Sequence, residues 1–183
     1  LLDNGEIVRK EVEKKLHKGQ RMIVKGPNGI GKSTLLRAIL NKEGANFKED
    51  LRIGYYSQDF SELNFEETAF ESLKSVMVEM EIPRIYSTAG RFLLTGDILQ
   101  TKVGSLSEGQ KGLLCYARFV LQEPGLLIMD EPTNHINFRH IPIIAKAIDN
   151  YKGALIIVSH LPDFVSQIHI NEELDLEKIL NQK

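Results

Sequence analysis

Apolar positions along the chain follow two alternating rhythms. "RMIV" (21–24), "LRIGYYSQ" (51–58), "LLIMD" (126–130) and "GALIIVSH" (153–160) are short, apolar-rich runs and read as strands. Between them the spacing turns helical. "STLLRAIL" carries Leu35, Leu36, Ile39 and Leu40, "KGLLCYARFVLQ" (111–122) is closed by Glu123-Pro124-Gly125, and a further helix is expected over 138–149. The middle of the chain has few strand signals. Acidic, helix-patterned sequence runs from Glu66 to Glu81, and beyond Pro83 a second helix is expected around "IYSTAGRFLL". Strands alternating with helices predict an α/β fold with a parallel sheet, doubly wound, interrupted by a helical insertion at about residues 64–110. One domain is expected over residues 1–171, followed by a polar, frayed tail from Glu172 to Lys183.

Composition narrows the class without changing this picture. At 183 residues, 42% hydrophobic and 26% charged, the chain has the make-up of one soluble globular domain with room for a small lobe. A formal charge of −2 gives no global argument for nucleic acid or a bilayer surface. The apolar runs are of strand length, so direct membrane insertion is not expected and the cytoplasm is the default location. Cys115, the only cysteine, lies in a helical pattern and reads as a packed thiol that cannot form an internal disulfide.

The chemistry begins at "KGPNGIGKST" (25–34), which joins the first expected strand to the first expected helix. Gly26, Gly29 and Gly31 let the backbone curl until its N–H groups converge into an anion nest. The spacing Gly26-x-x-x-x-Gly31-Lys32-Ser33 is that of a P-loop. Residues Gly26, Pro27, Asn28, Gly29, Ile30, Gly31, Lys32, Ser33 and Thr34 are therefore expected to bind nucleotide. The backbone would cradle the α- and β-phosphates, Lys32 would reach the β- and γ-phosphates, and Ser33 would place its hydroxyl on Mg²⁺. A glycine-rich turn with a solvated lysine is the competing reading; the full pattern in its strand–helix context favours the P-loop.

A second constellation, "LLIMDEPTN", delivers Asp130 and Glu131 to the carboxyl edge of the sheet, where open α/β sheets bind ligands. Asp130 would hold Mg²⁺ and Glu131 would accept a proton from the attacking water. Alone, the pair reads more readily as a strand-end turn with solvated carboxylates. Together with a P-loop it predicts a nucleoside triphosphatase. Gln58 and His160 end two of the expected strands, and "SLSEGQKG" (105–112) opens a helix upstream of the acidic pair. Each also has a plain structural reading, as a satisfied polar residue or as a helix cap with Ser107 at its N-terminus.

The order of these fragments resembles that of an ATP-binding cassette (ABC) nucleotide-binding domain, over about Leu16 to Ile168. "GPNGIGKST" resembles the Walker A motif, Gln58 the Q-loop, "LSEGQ" the ABC signature, "LLIMDEP" Walker B and His160 the switch histidine. "EPTNHIN" (131–137), "GRFLLTGD" (90–97) and "GYYSQD" (54–59) resemble the C-terminal cassette of ABC-F proteins, which are soluble, carry two cassettes and act on the ribosome. The chain begins at Leu1 without a methionine and holds one cassette, so a C-terminal piece of a longer protein is expected.

The resemblance implies an ATPase using ATP and Mg²⁺, with a P-loop core and a small helical signature subdomain. Ser33, Gln58 and Asp130 would arrange the metal, and Glu131, His160 and Gln58 would serve catalysis. Ser107, Gly109 and Gln110 would face the nucleotide of a second cassette, in the same full-length chain or in a homodimer. The ribosome is the implied partner, and a transmembrane transporter subunit is the alternative. Glu108 stands where the family has glycine, which predicts repulsion of a facing γ-phosphate. Asn137 replaces the usual D-loop aspartate, and "SHLPDF" replaces an SHDR-like run. No aromatic for stacking on adenine is visible near Leu1-Leu2-Asp3, so ATP and GTP are expected to bind within about tenfold of each other, roughly 1.4 kcal/mol.

Overall fold

The computed structural model of the chain describes residues 12–181. The four apolar runs form strands β1 (Arg21–Lys25), β2 (Ile53–Tyr56), β3 (Leu126–Asp130) and β4 (Ala154–Val158). A fifth strand, β5 (Glu172–Asp175), completes a sheet of order β2-β3-β4-β1-β5. Every pairing is parallel, with Tyr56 opposite Met129, Asp130 opposite Val158 and Ile23 opposite Ile157. Parallel strands cannot be joined by tight hairpins, so each connection leaves the sheet and crosses a face.

The crossovers cover both faces. Successive side chains point to opposite sides, so Ile23, Leu127, Met129, Leu155 and Ile157 enter the larger core. Val24, Ile128, Ile156 and Val158 enter the other. Leu36 of α1 (Lys32–Leu40) closes the second face. Helices α5 (Glu108–Gln122) and α6 (Ile141–Asp149) line the first through Leu113, Ile144 and Ile148. Hydrophobic flanks on both sides explain why these strands read as continuous apolar runs rather than as alternating ones.

The helical insertion forms as expected in kind, with different limits. The helix expected over 66–81 is only α2 (Ala69–Ser75), started by a capping box between Thr68 and Glu71 and ended at Val76. A single helix running on would place Pro83 in its interior, where the ring has no N–H to donate and clashes with the carbonyl four residues back, so the first helix ends well short of it. Helix α3 (Ile82–Arg91) takes Pro83 into its first turn, where a missing N–H is tolerated. Both α2 and α3 pack on α5, with Leu73, Ile85 and Ala89 fully buried. The short α4 (Asp97–Gln100) closes the lobe.

Residues 172–181 depart from the polar tail expected of them. β5 pairs with β1, and after the one-turn α7 (Pro162–Val165) the described chain ends in α8 (Leu176–Asn181). An edge strand has one ladder partner and keeps part of each side chain in water, so "EELD" can form it without apolar residues. Lys25 Nζ donates to Glu173 Oε2 at 2.6 Å across that pairing.

Candidate nucleotide site

Because the sheet is wholly parallel, the carboxyl ends of β1, β2, β3 and β4 lie along one edge, and the loops leaving them converge there. One cleft of about 360 Å³ is lined by Asn28, Gly29, Gly31, Lys32, Ser33 and Thr34 from the loop after β1, Gln58 after β2, Asp130 and Glu131 at the end of β3, and Val158 and His160 at the end of β4. Residues far apart in sequence and singled out for chemistry thus share one enclosure.

The glycines of the first loop are used as the spacing requires. Gly31 is the N-cap of α1 in the left-handed region, φ 105°, where a side chain would be strained. Gly26 lies under Ile30, whose Cγ2 would stand 2.9 Å from an added Cβ. Lys32 is buried, and its Nζ donates to the carbonyls of Gly26 at 2.8 Å and Pro27 at 3.0 Å. An ammonium has three donors, so one N–H remains for a ligand oxygen. Gly26, Pro27 and Ile30 therefore belong to the loop's scaffold, while its other members line the cleft.

Asp130 is buried and its Oδ1 has no hydrogen-bond partner. A buried acceptor left unpaired costs about 1–3 kcal/mol, and a cation bound in the cleft, which Ser33 also lines, would relieve that cost. The donor set fits Mg²⁺, which binds through one or two carboxylates, hydroxyls and phosphate oxygens. The Asp130 carboxylate is felt one strand away. Burial first, and Asp130 second, hold the Tyr55 hydroxyl above its ordinary pKa.

Glu131 has φ 49°, a left-handed conformation that costs a non-glycine residue about 1–2 kcal/mol. The surroundings hold it there. Its N–H donates to the Val158 carbonyl at 2.9 Å, and its carbonyl accepts from Asn134 N–H at 3.2 Å. Its Oε2 accepts from the backbone N–H of His160 at 3.2 Å. Oε1 is buried without a hydrogen bond, 3.2 Å from His160 Nε2. One carboxylate oxygen is thus anchored and the other is left as an acceptor, the arrangement a general base needs.

Ser107, Gly109 and Gln110 do not join the cleft. They open α5, where Gln110 N–H donates to Ser107 Oγ at 3.2 Å and Ser107 N–H to Gln110 Oε1 at 2.9 Å. The helix-cap reading of this segment is therefore realised, and the segment remains at the surface with Ser107 exposed. Glu108 is not the bare acid that the sequence suggests, since its Oε2 lies 2.9 Å from His135 Nδ1. The adenine-facing aromatic sought near Leu1 falls outside the described residues.

Two groups of side chains escaped sequence reasoning. His135 stands against both Glu108 and the Phe60 ring, 5.6 Å away centroid to centroid. Behind Gln58, Glu62 accepts from Ser57 Oγ at 2.5 Å and from Cys115 Sγ at 3.3 Å, tying the loop after β2 to α5. Burial first, then the Glu62 carboxylate, pushes the Cys115 thiol well up. The "EPTNH" element was the one signal that could have singled out His135.

A family model described as "ABC transporter" matches residues 9–134. The chain belongs to the ABC transporter family, as an ATPase domain. It is 37% identical over 174 residues to the probable ATP-binding protein YbiT of Escherichia coli O157:H7, covering 91% of this chain and 32% of that protein. To the ABC transporter F family member 2 of Arabidopsis thaliana it is 34% identical over 161 residues, covering 84% and 24%. The chain thus spans a quarter to a third of the length of these curated relatives. Among solved structures, the dimeric ATP-binding cassette MJ0796, in a post-hydrolysis state bound to ADP and Pi, matches 88% of this chain and 85% of its own, with a TM-score of 0.69 at 20% identity. That likeness speaks for the cassette fold. Among the described residues, no helix of this cassette is long and apolar enough to cross a membrane.

Proposed function

We propose that this cassette binds Mg²⁺-ATP and hydrolyses it as one of two head-to-tail cassettes, in a cytoplasmic ABC-F protein that acts on the ribosome. The observation that carries the reading is the division of the expected site. The phosphate loop, Gln58, Asp130, Glu131 and His160 share one cleft, while Ser107 to Gln110 stand apart at the surface. A cleft with everything but the signature is half of a composite site, and a second cassette supplies the rest. The ABC-F assignment is supported by "EPTNH" (131–135) and by relatives named as F family members.

In this reading the loop amides and Lys32 hold the phosphates of ATP. Ser33, Gln58 and Asp130 would hold Mg²⁺, which when bound would neutralise part of the phosphate charge. Glu131 Oε1 accepts a proton from the attacking water, the water oxygen bonds to the terminal phosphorus, and the bond to the ADP oxygen breaks. His160 fixes the Glu131 carboxylate through its backbone N–H, and its ring, with Nε2 3.2 Å from Glu131 Oε1, would turn toward the terminal phosphate when nucleotide is bound.

Glu131→Gln tests both parts. It keeps the shape of the side chain and removes the proton acceptor, so nucleotide binding should persist while turnover falls roughly 10²–10⁴-fold. Sedimentation should show a dimer with saturating Mg²⁺-ATP and a monomer without it. A monomer under both conditions overturns the composite site, and unimpaired hydrolysis overturns Glu131 as the base. ATP-dependent cosedimentation of the whole protein with ribosomes tests the partner.

A further inference from the structure

Three parts of the machinery meet at His135. Nδ1 lies 2.9 Å from Glu108 Oε2, at the first residue of the signature helix. The ring stands 5.6 Å from that of Phe60, two residues beyond Gln58. The His135 carbonyl oxygen is what a side chain at position 109 would touch first, at 3.4 Å. Through its own turn His135 is bound to Glu131, with Asn134 N–H donating to the Glu131 carbonyl at 3.2 Å and Ile136 N–H to that of Thr133 at 3.1 Å. Next to it, Ile136 fills the space over Gly112 of α5, where an added Cβ would stand 2.5 Å from its Cδ1.

Two of the six left-handed non-glycine residues among the described residues lie at this junction. Phe60, at φ 55°, and Glu131, at φ 49°, are both left-handed without being glycine, a state that persists only where neighbours enforce it. His135 packs on the first and shares a turn with the second. The contact with Glu108, whose side chain is 70% exposed, adds little to global stability. What it adds is geometric, because it connects the exposed end of α5 to the turn that carries the carboxylate.

We infer that His135 is a positioning residue for ATP hydrolysis, which through Glu108 passes contact at the signature segment to the turn holding Glu131. The inference rests on Glu131 being the base. It also gives the acid at position 108 a use: Glu108 is the handle by which the signature end of α5 grips the turn after β3.

The test is a set of variants in the full chain, comparing kcat at saturating Mg²⁺-ATP, Kd for Mg²⁺-ATP and melting temperature. His135→Ala should lower kcat at least tenfold while Kd stays within threefold, because the phosphate loop is untouched. His135→Asn, which offers an N–H near the position of Nδ1, should recover most of the rate. Glu108→Gly should lower kcat to a similar extent, and the double variant should be no slower than either single one. A kcat within twofold of the parent for His135→Ala overturns the inference, as does a double variant whose loss is the product of the two single losses. Should His135→Ala not fold, His135→Asn and Glu108→Gly decide: an unchanged kcat in Glu108→Gly, or a rate in His135→Asn as low as that of the double variant, overturns it. Glu131→Gln in parallel separates the two readings. If that variant loses turnover and His135→Ala does not, only the positioning role falls; if it turns over normally, the base and the positioning role fall together.

Discussion

Lys32 carries a positive charge into a buried place and satisfies it with two backbone carbonyls of its own loop. The side chain is thereby fixed in the direction of the nest, and ligand binding need not order a flexible four-carbon stem. A charge-assisted hydrogen bond contributes about 1.5–3 kcal/mol, and Lys32 is the loop's own cation. Lys32→Ala should therefore weaken Mg²⁺-ATP binding by roughly ten- to a hundredfold, measured by calorimetry, with the folded state retained by circular dichroism. Asp130 has the opposite character, since its buried Oδ1 accepts from no protein donor, which suits it to a cation. Glu131 lies between these extremes, with Oε2 held by the backbone N–H of His160 and Oε1 buried beside the His160 ring.

Helix starts are the most firmly written elements of this chain. Thr68 and Ser107 both open helices with reciprocal caps, to Glu71 and Gln110. Thr68→Ala should destabilise the protein by about 0.5–2 kcal/mol in urea unfolding, with nucleotide affinity unchanged because α2 does not line the cleft. Hydrogen bonds from the Thr68 backbone and hydroxyl lower the Glu71 pKa. The folded value lies below the unfolded one, so the stabilisation is complete above the usual carboxylate range and is lost as pH falls through the folded value. Glu71→Gln should flatten that part of the acid-unfolding curve. The strands buried on both faces were legible because Ile, Leu, Val and Met fill positions 126–129 and 154–158 almost without interruption. β5 was not, since an edge strand needs backbone pairing more than apolar side chains. The long helix expected before Pro83 shrank to Ala69–Ser75 because helical spacing of charges persists past Val76, while the chain already breaks there to bring Pro83 into the first turn of the next helix. In the site, the glycine spacing and the Asp-Glu pair were legible because their chemistry is local in sequence. The Glu108–His135 contact was not, because packing of α5 against the turn after β3 creates it and no spacing rule anticipates it.

At the scale of the whole molecule, the sheet order β2-β3-β4-β1-β5 sets what a single copy can do. Four strand ends aim their loops into one cleft, while the start of α5 presents Ser107 to Gln110 outside it. The two halves of the expected machinery thus lie apart in one chain. If a second cassette completes the site, as proposed, that separation sets the kinetic order of the reaction. In dilute solution the specific rate of ATP hydrolysis per chain should rise in proportion to protein concentration and level off only when most chains are paired, whereas two copies joined by a linker should show a specific rate independent of dilution. A phosphate-release assay over a hundredfold range of concentration reads this directly: a flat specific rate for the unlinked chain would mean that its own cleft suffices. Where such a domain is carried twice on one polypeptide, the linker then sets the turnover rate as surely as any residue in the cleft, because it fixes the effective concentration at which one cassette meets the other.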